Sequence, residues 1–233
     1  MALSDRQYFT LRRLQSLTGL VPVGAFLFEH LLTNSFALKG ARAYNAGVDV
    51  LRGLPYLYAL ELLLIALPIA LHAALGVWIW WDARFNVRQV PRRQNVLFTL
   101  QRLTGLFLVA YIAYHVATTR FAHWFGMDNH DLFALMEHKL QNPAIFAFYV
   151  AGVLAAAFHL GNGLWGFALH WGLLTGQRAQ RRWTWAGIGV SLALALVGVN
   201  SLLAFHPLGL RPLTVLQETR AEPPAPAAAG DAP

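Results

Sequence analysis

Four histidines, His30, His72, His115 and His159, lie inside long apolar stretches, and their surroundings repeat. Leu14-Gln15-Ser16-Leu17-Thr18-Gly19-Leu20 is matched by Leu100-Gln101-Arg102-Leu103-Thr104-Gly105-Leu106. His30 follows the first glycine by 11 residues and His115 follows the second by 10. His72, Gly76 and Trp78 share the spacing of His159, Gly163 and Trp165. The sequence is thus a duplicated pair of segments with one histidine per segment. Imidazole is an iron ligand, and a haem iron takes two axial ligands on opposite faces. Cysteine is absent. That removes disulfides, thiolate zinc sites and covalent C-x-x-C-H haem attachment. Any haem is non-covalent, and any iron–sulfur cluster belongs to a partner.

The elements that position these side chains read as membrane helices. Only 12% of the 233 residues are charged and 57% are hydrophobic, where a soluble domain carries about 25% charged. Five windows reach the roughly 20 apolar residues a span needs: about 14–32, 56–81, 96–117, 144–174 and 183–205. Pro55 and Pro143 precede the second and fourth, Pro207 follows the fifth, and Pro22 and Pro68 lie inside spans, where they bend helices. The fold class expected is all-α and integral to the membrane, one five-transmembrane-helix bundle over residues 1–208 binding two b-type haems. Residues 209–233, rich in Pro and Ala, read as a disordered tail.

The net charge of +7 would raise nucleic-acid binding in a soluble protein, but here the charges sort by membrane side. Arg6, Arg12, Arg13, Arg84, Arg88, Arg92, Arg93, Arg178, Arg181 and Arg182 fall on one side. Lys39, Arg42, Arg52, Arg120 and Lys139 fall on the other, among Asp49, Asp128, Asp131 and Glu137. The positive-inside rule then expects a bacterial cytoplasmic membrane protein with a cytoplasmic N-terminus and an external C-terminus. No nucleic acid partner is called for. At 1.5 Å per residue the histidines fall in two layers about 10–15 Å apart along the membrane normal. His72 and His159 form the cytoplasm-proximal layer and His30 and His115 the distal one, which gives two bis-histidine haem sites. Gly76, Gly161 and Gly163 either leave room for a flat macrocycle or let helices approach.

Other polar residues suit supporting roles. Gln15, Ser16, Gln101, Arg102 and His170 lie toward the cytoplasmic surface, where haem propionates need donors. For Arg102 a positive-inside anchor is the competing reading, and for His170 an interfacial histidine. Glu29 and Glu61 lie in or at the end of spans, where a carboxylate is costly unless paired or protonated. Proton exchange with a substrate would use them; pairing with Arg42, Arg52 or a backbone donor is the alternative. His123, His130 and His138 have no zinc spacing and read as solvated loop residues.

These marks together resemble the five-helix, di-haem cytochrome b anchor of succinate:quinone oxidoreductases, the succinate dehydrogenase and fumarate reductase complexes. The resemblance runs from about Tyr8 to Phe205. It is carried by Arg12-Arg13-Leu14, Glu29-His30-Leu31, Tyr58-Ala59-Leu60-Glu61, the Leu100–Gly105 motif and His159-Leu160-Gly161-Asn162-Gly163-Leu164-Trp165. It implies a FAD-containing flavoprotein and an iron–sulfur subunit on the cytoplasmic face, with the dicarboxylate chemistry on the former. It implies that this chain relays electrons to or from a membrane quinone, often menaquinone. The same pairing of His72 with His159 and His30 with His115 follows from it. It also implies quinone binding near the distal haem with an acid taking part, for which Asp49, Glu29 and Glu61 are candidates. Some relatives carry a glutamate two residues before the fourth-span histidine; Ala157 stands there in this chain, against a proton path through that position. Two other readings compete: a di-haem anchor of a hydrogenase, formate or nitrate enzyme, and a proton-coupled transporter without haem.

Overall fold

The computed structural model describes residues 4–81, 92–127 and 130–206. The expectations for the tail and for Arg84, Arg88, Asp128 and Pro207 lie outside those residues. Among the described residues, five helices are long and apolar enough to cross a membrane: Asp5–Lys39, Leu57–Trp81, Arg93–Ala117, Pro143–His170 and Gln177–Ala204. They are called the first to fifth spans. Their apolar side chains point outward as well as inward. Leu62, Leu63 and Leu64 are each more than half exposed, as a lipid-facing surface requires.

The helix of the first span starts at Asp5, ahead of the apolar window that opens near Leu14, because hydropathy ignores caps. Ser4 Oγ accepts from the Gln7 backbone N–H, and the Gln7 side chain accepts in return from Ser4 N–H. This reciprocal capping satisfies two of the donors a helix start leaves open. The fourth span opens on Asn142, whose side-chain oxygen accepts from Ala144 and Ile145 N–H, with Pro143 at the first helical position. It ends at His170, and the fifth begins already at Gln177.

Two prolines meet widened turns rather than simple bends. Pro22 sits in a π-helical turn, Gly19–Val23, and a second such turn, Glu61–Ala66, closes just before Pro68. A π-turn bonds i to i+5 and so holds one more residue than an α-turn.

Two short helices cover one end of the bundle, here called the far end; the other is the basic end. Ala41–Arg52 and Leu132–Leu140 bury Tyr44, Val48, Met136 and Leu140 against Phe205, Tyr149 and Tyr111. Asn45 Nδ2 donates to Asp131 Oδ1 at 2.8 Å and joins the two. Most of the buried core lies here. The fourth and fifth spans meet backbone to backbone. A Cβ on Gly161 would collide with the Gly187 carbonyl and Ser191 Oγ, and one on Gly187 with the Gly161 carbonyl. Gly161 therefore serves helix contact, the second of its two sequence readings.

Candidate functional site

The four histidines come together in two facing pairs. His72 and His159 have ring centres 6.2 Å apart at an interplanar angle of 88°; His30 and His115 lie 5.8 Å apart at 78°. An imidazole nitrogen bonds a first-row metal at about 2.0 Å. Two rings on one iron thus hold their nitrogens about 4 Å apart and their centres about 6 Å apart. Both pairs meet that spacing. Among the described residues no three His, Asp or Glu side chains gather as a metal site; the histidines meet in twos, as axial ligation needs.

The basic-end pair is set by the repeat. A Cβ on Gly19 would run into the His72 ring, and one on Gly105 would stand 2.9 Å from His159 Cε1. The glycine of each Leu-Thr-Gly-Leu motif is therefore the notch into which the neighbouring histidine ring fits. Reading the motif for its polar residues misses this, although its glycine is repeated in plain view. His72 Nδ1 lies 2.8 Å from the Gln15 carbonyl, which it can only approach as a donor. His159 Nδ1 lies 3.2 Å from Thr104 Oγ1, whose own proton goes to the Leu100 carbonyl at 2.8 Å. Both rings are thereby held with Nδ1 protonated and Nε2 left as a lone pair for a metal.

The symmetry extends to the glutamines. A Cβ on Gly76 would stand 3.5 Å from Gln15 Nε2, and one on Gly163 3.5 Å from Gln101 Nε2. Gln101 Nε2 also donates to the His159 carbonyl at 3.0 Å, and its Oε1 accepts from Asn162 at 2.8 Å. Ser16 Oγ donates to the Arg13 carbonyl at 2.9 Å and lies 3.3 Å from Trp171 Nε1, which donates to it. Arg13 Nε donates to the His170 carbonyl at 3.1 Å. His170 Nδ1 and Arg12 Nε are buried and have no hydrogen-bond partner among the described residues. The Arg102 guanidinium lies 3.8 Å above the Phe98 ring. Buried donors at an arginine-rich end fit an acidic group such as a haem carboxylate.

The far pair has a different surround. His115 Nδ1 lies 3.3 Å from the Tyr149 hydroxyl, and its ring stacks at 9° on Tyr111, which rests on Gly152. His30 packs beside Phe26, and its Nε2 lies 3.3 Å from Asn34 Nδ2. Sequence reasoning passes over Tyr111, Tyr149 and Asn34 because no spacing pattern ties them to the repeated histidines. The π-turn Gly19–Val23 falls between Gly19 and His30. It absorbs the extra residue that makes that gap 11 rather than 10, so His30 still faces His115.

The candidate acids separate. Glu61 pairs with Arg120 through contacts of 2.8 to 3.3 Å to both carboxylate oxygens, which raises the Arg120 pKa. Glu29 Oε1 accepts from Thr33 at 2.7 Å. Asp49 is exposed and 3.7 Å from Arg52. Neither glutamate uses the Arg42 or Arg52 partner that the sequence offers. Ala157 is 2% exposed and packs with the buried Leu31 and Leu194.

No family model matches the chain. The chain is 41% identical over 203 residues to the succinate dehydrogenase cytochrome b558 subunit of Bacillus subtilis (strain 168); the alignment covers 87% of this chain and 100% of that protein.

Proposed function

The chain belongs to the family of succinate dehydrogenase cytochrome b membrane anchors, and from that premise we propose that it relays electrons through two bis-histidine haems b between a partner's iron–sulfur cluster and a membrane quinone. The observation that carries the reading is the pair of facing imidazole couples, 6.2 and 5.8 Å between ring centres. Each haem, when bound, supplies a one-electron ferric/ferrous couple. The chain's residues do the rest. His72 and His159 hold the basic-end iron, with the Gln15 carbonyl and Thr104 hydroxyl fixing their rings. His30 and His115 hold the far one. Gly19 and Gly105 give the rings their seats, and the apolar bundle keeps water from both sites.

Arg12, Arg102 and His170 are the donors for carboxylates at the basic end, with Gln15, Ser16 and Gln101 behind them. That end is cytoplasmic by its arginine excess, and there the flavoprotein and iron–sulfur subunits dock. The far end is external. A quinone, menaquinone in the reading favoured by the family, exchanges electrons there and takes up or releases protons through Glu61, Glu29 or Asp49. Of these, Glu61 has the most suitable place, on a widened turn and gripped by Arg120. The buried apolar setting of Ala157 supports leaving that position out of any proton path.

The test is visible spectroscopy and haem quantification on the purified complex. The expected result is two b-type haems per chain, both reduced by succinate. A colourless chain overturns the proposal. Replacing His72 or His159 by Ala is expected to remove one haem, and undiminished haem content would refute the ligand assignment.

A further inference from the structure

The far histidine pair is connected to a buried ammonium group. Lys139, in the last turn of the Leu132–Leu140 helix, is only 8% exposed, and lysine is among the residues least often buried without a partner charge. No acid pairs with Lys139 among the described residues. Its Nζ donates instead to the Thr118 carbonyl at 2.6 Å and to Thr118 Oγ1 at 2.8 Å, where the third span ends. The same Nζ lies 5.9 Å from the Tyr149 ring centre. Tyr149 is 1% exposed. Its hydroxyl is in reach of the Thr118 side chain and lies 3.3 Å from His115 Nδ1. Lys139, Thr118, Tyr149 and His115 thus form one connected polar path through an otherwise apolar core.

Capping a helix C-terminus does not require this arrangement. Water or a neighbouring backbone N–H would satisfy the Thr118 carbonyl without desolvating a charge. Among the described residues no lysine is linked in this way to the basic-end pair: His72 meets a backbone carbonyl and His159 a threonine hydroxyl. Adding an electron to a haem iron removes one positive charge from the site. A fixed cation close by, in a medium of low dielectric, favours that reduced form. A hydrogen bond to the outer nitrogen of a ligating imidazole fixes its tautomer and orientation.

We propose that Lys139 is a positioning residue for the far haem site, raising its reduction potential with its charge and locking the His115 ring through Thr118 and Tyr149. The proposal rests on the two-haem reading given above. Its test is redox titration of the purified complex by visible absorption, with low-temperature EPR of the oxidised haems. Lys139→Gln shifts one of the two haem components to lower potential and leaves the other in place. The expected size is at least a tenfold drop in its reduced-to-oxidised ratio at fixed potential, which is about 59 mV for a one-electron couple. Lys139→Arg restores most of the shift. Thr104→Val, which strips the hydroxyl from His159, perturbs the other component and so identifies it. Tyr149→Phe alters the EPR signal of the Lys139-sensitive component and spares its mate.

If Lys139→Gln leaves both potentials unchanged, moves both alike, or moves the component that Thr104→Val moves, the proposal is wrong. If that variant fails to assemble, Tyr149→Phe decides alone, and an unaltered EPR signal overturns the idea. Fewer than two haems in the unsubstituted complex would refute the two-haem reading instead.

Discussion

The basic-end and far histidine pairs use the same donor, at nearly the same spacing, in copies of one motif, yet almost nothing around them is the same. Around His72 and His159 the neighbours are glycine backbone, a main-chain carbonyl and a threonine. Around His30 and His115 they are Phe26, Tyr111 and Tyr149, under two short helices and a buried lysine. Duplication reproduces the histidines because they lie in the repeated helices. It does not reproduce the surround, where Phe26, Tyr111 and Tyr149 of the spans and the two short helices meet the far pair. Under the proposed function, two sites of one origin thereby take different tasks: the basic-end pair serves an electron donor, and the far pair serves a substrate that also needs protons.

The sharpest break in that comparison comes from the glycine notches. Gly19→Val fills the space of the His72 ring and is expected to abolish the basic-end haem, leaving one haem per chain. Gly166→Ala adds a methyl where nothing lies within 4 Å and should leave both. Haem quantification by the pyridine complex reads the difference; two haems in the Gly19 variant would mean the notch is not needed.

A smaller but one-sided effect is expected at Glu61. Glu61→Gln keeps the shape, loses the charge held by Arg120, and should slow quinone-linked succinate oxidation on the order of 10²-fold. Electron transfer from succinate to an artificial dye acceptor upstream of the anchor should stay within twofold, and haem content should not change. A proportional fall in both assays would place Glu61 in folding rather than in quinone chemistry.

Acidity separates the ends next. Burial pulls the Lys139 pKa from 10.5 down to about 8. In the folded protein it has lost its proton above that point, while the released segment keeps it to about pH 10.5. The open form therefore binds more protons between these values, and closure of the Leu132–Leu140 helix gains stability as pH rises through that window. Hydrogen exchange of its amides, corrected for intrinsic rates, should show protection climbing from pH 8 upward. Protection that declines over the same range would contradict the sign.

The mildest effect belongs to the cap. Asp131 accepts from Ala134 N–H and Asn45, which hold its carboxyl below the usual range. Asp131→Ala should cost about 1 kcal/mol locally, seen as faster exchange over 132–140 with the basic-end haem spectrum untouched.

Legibility in the sequence follows the same division. The repeat is visible there because helices keep fixed spacing, so spacing alone singles out the four histidines and sorts them into the pairs that face each other in the fold. The two capping helices escape the same reading and pass for loops. Their buried residues, Tyr44 with Val48 and Met136 with Leu140, do stand four apart. A hydropathy window tuned to spans averages that pattern away. The start of the first span is hidden for a related reason: Ser4 and Gln7 signal it by capping, not by apolarity. Gly161 carries two meanings that spacing cannot separate, and only the position of the fifth span chooses between them. The Glu61–Arg120 pair joins residues 59 apart across two helices, a distance over which the sequence alone carries no signal of contact.

The widened turn at Gly19–Val23 also says something about descent. A codon gained upstream of His30 would ordinarily spin the remainder of that helix by about 100° and swing the imidazole toward lipid. Here the swelling soaks up the rotation locally, so an ancestor could tolerate the insertion with no second change elsewhere. Deleting Val21 should then shrink the bulge to ordinary α geometry and match the 10-residue gap of the other copy, with the imidazole still aimed inward.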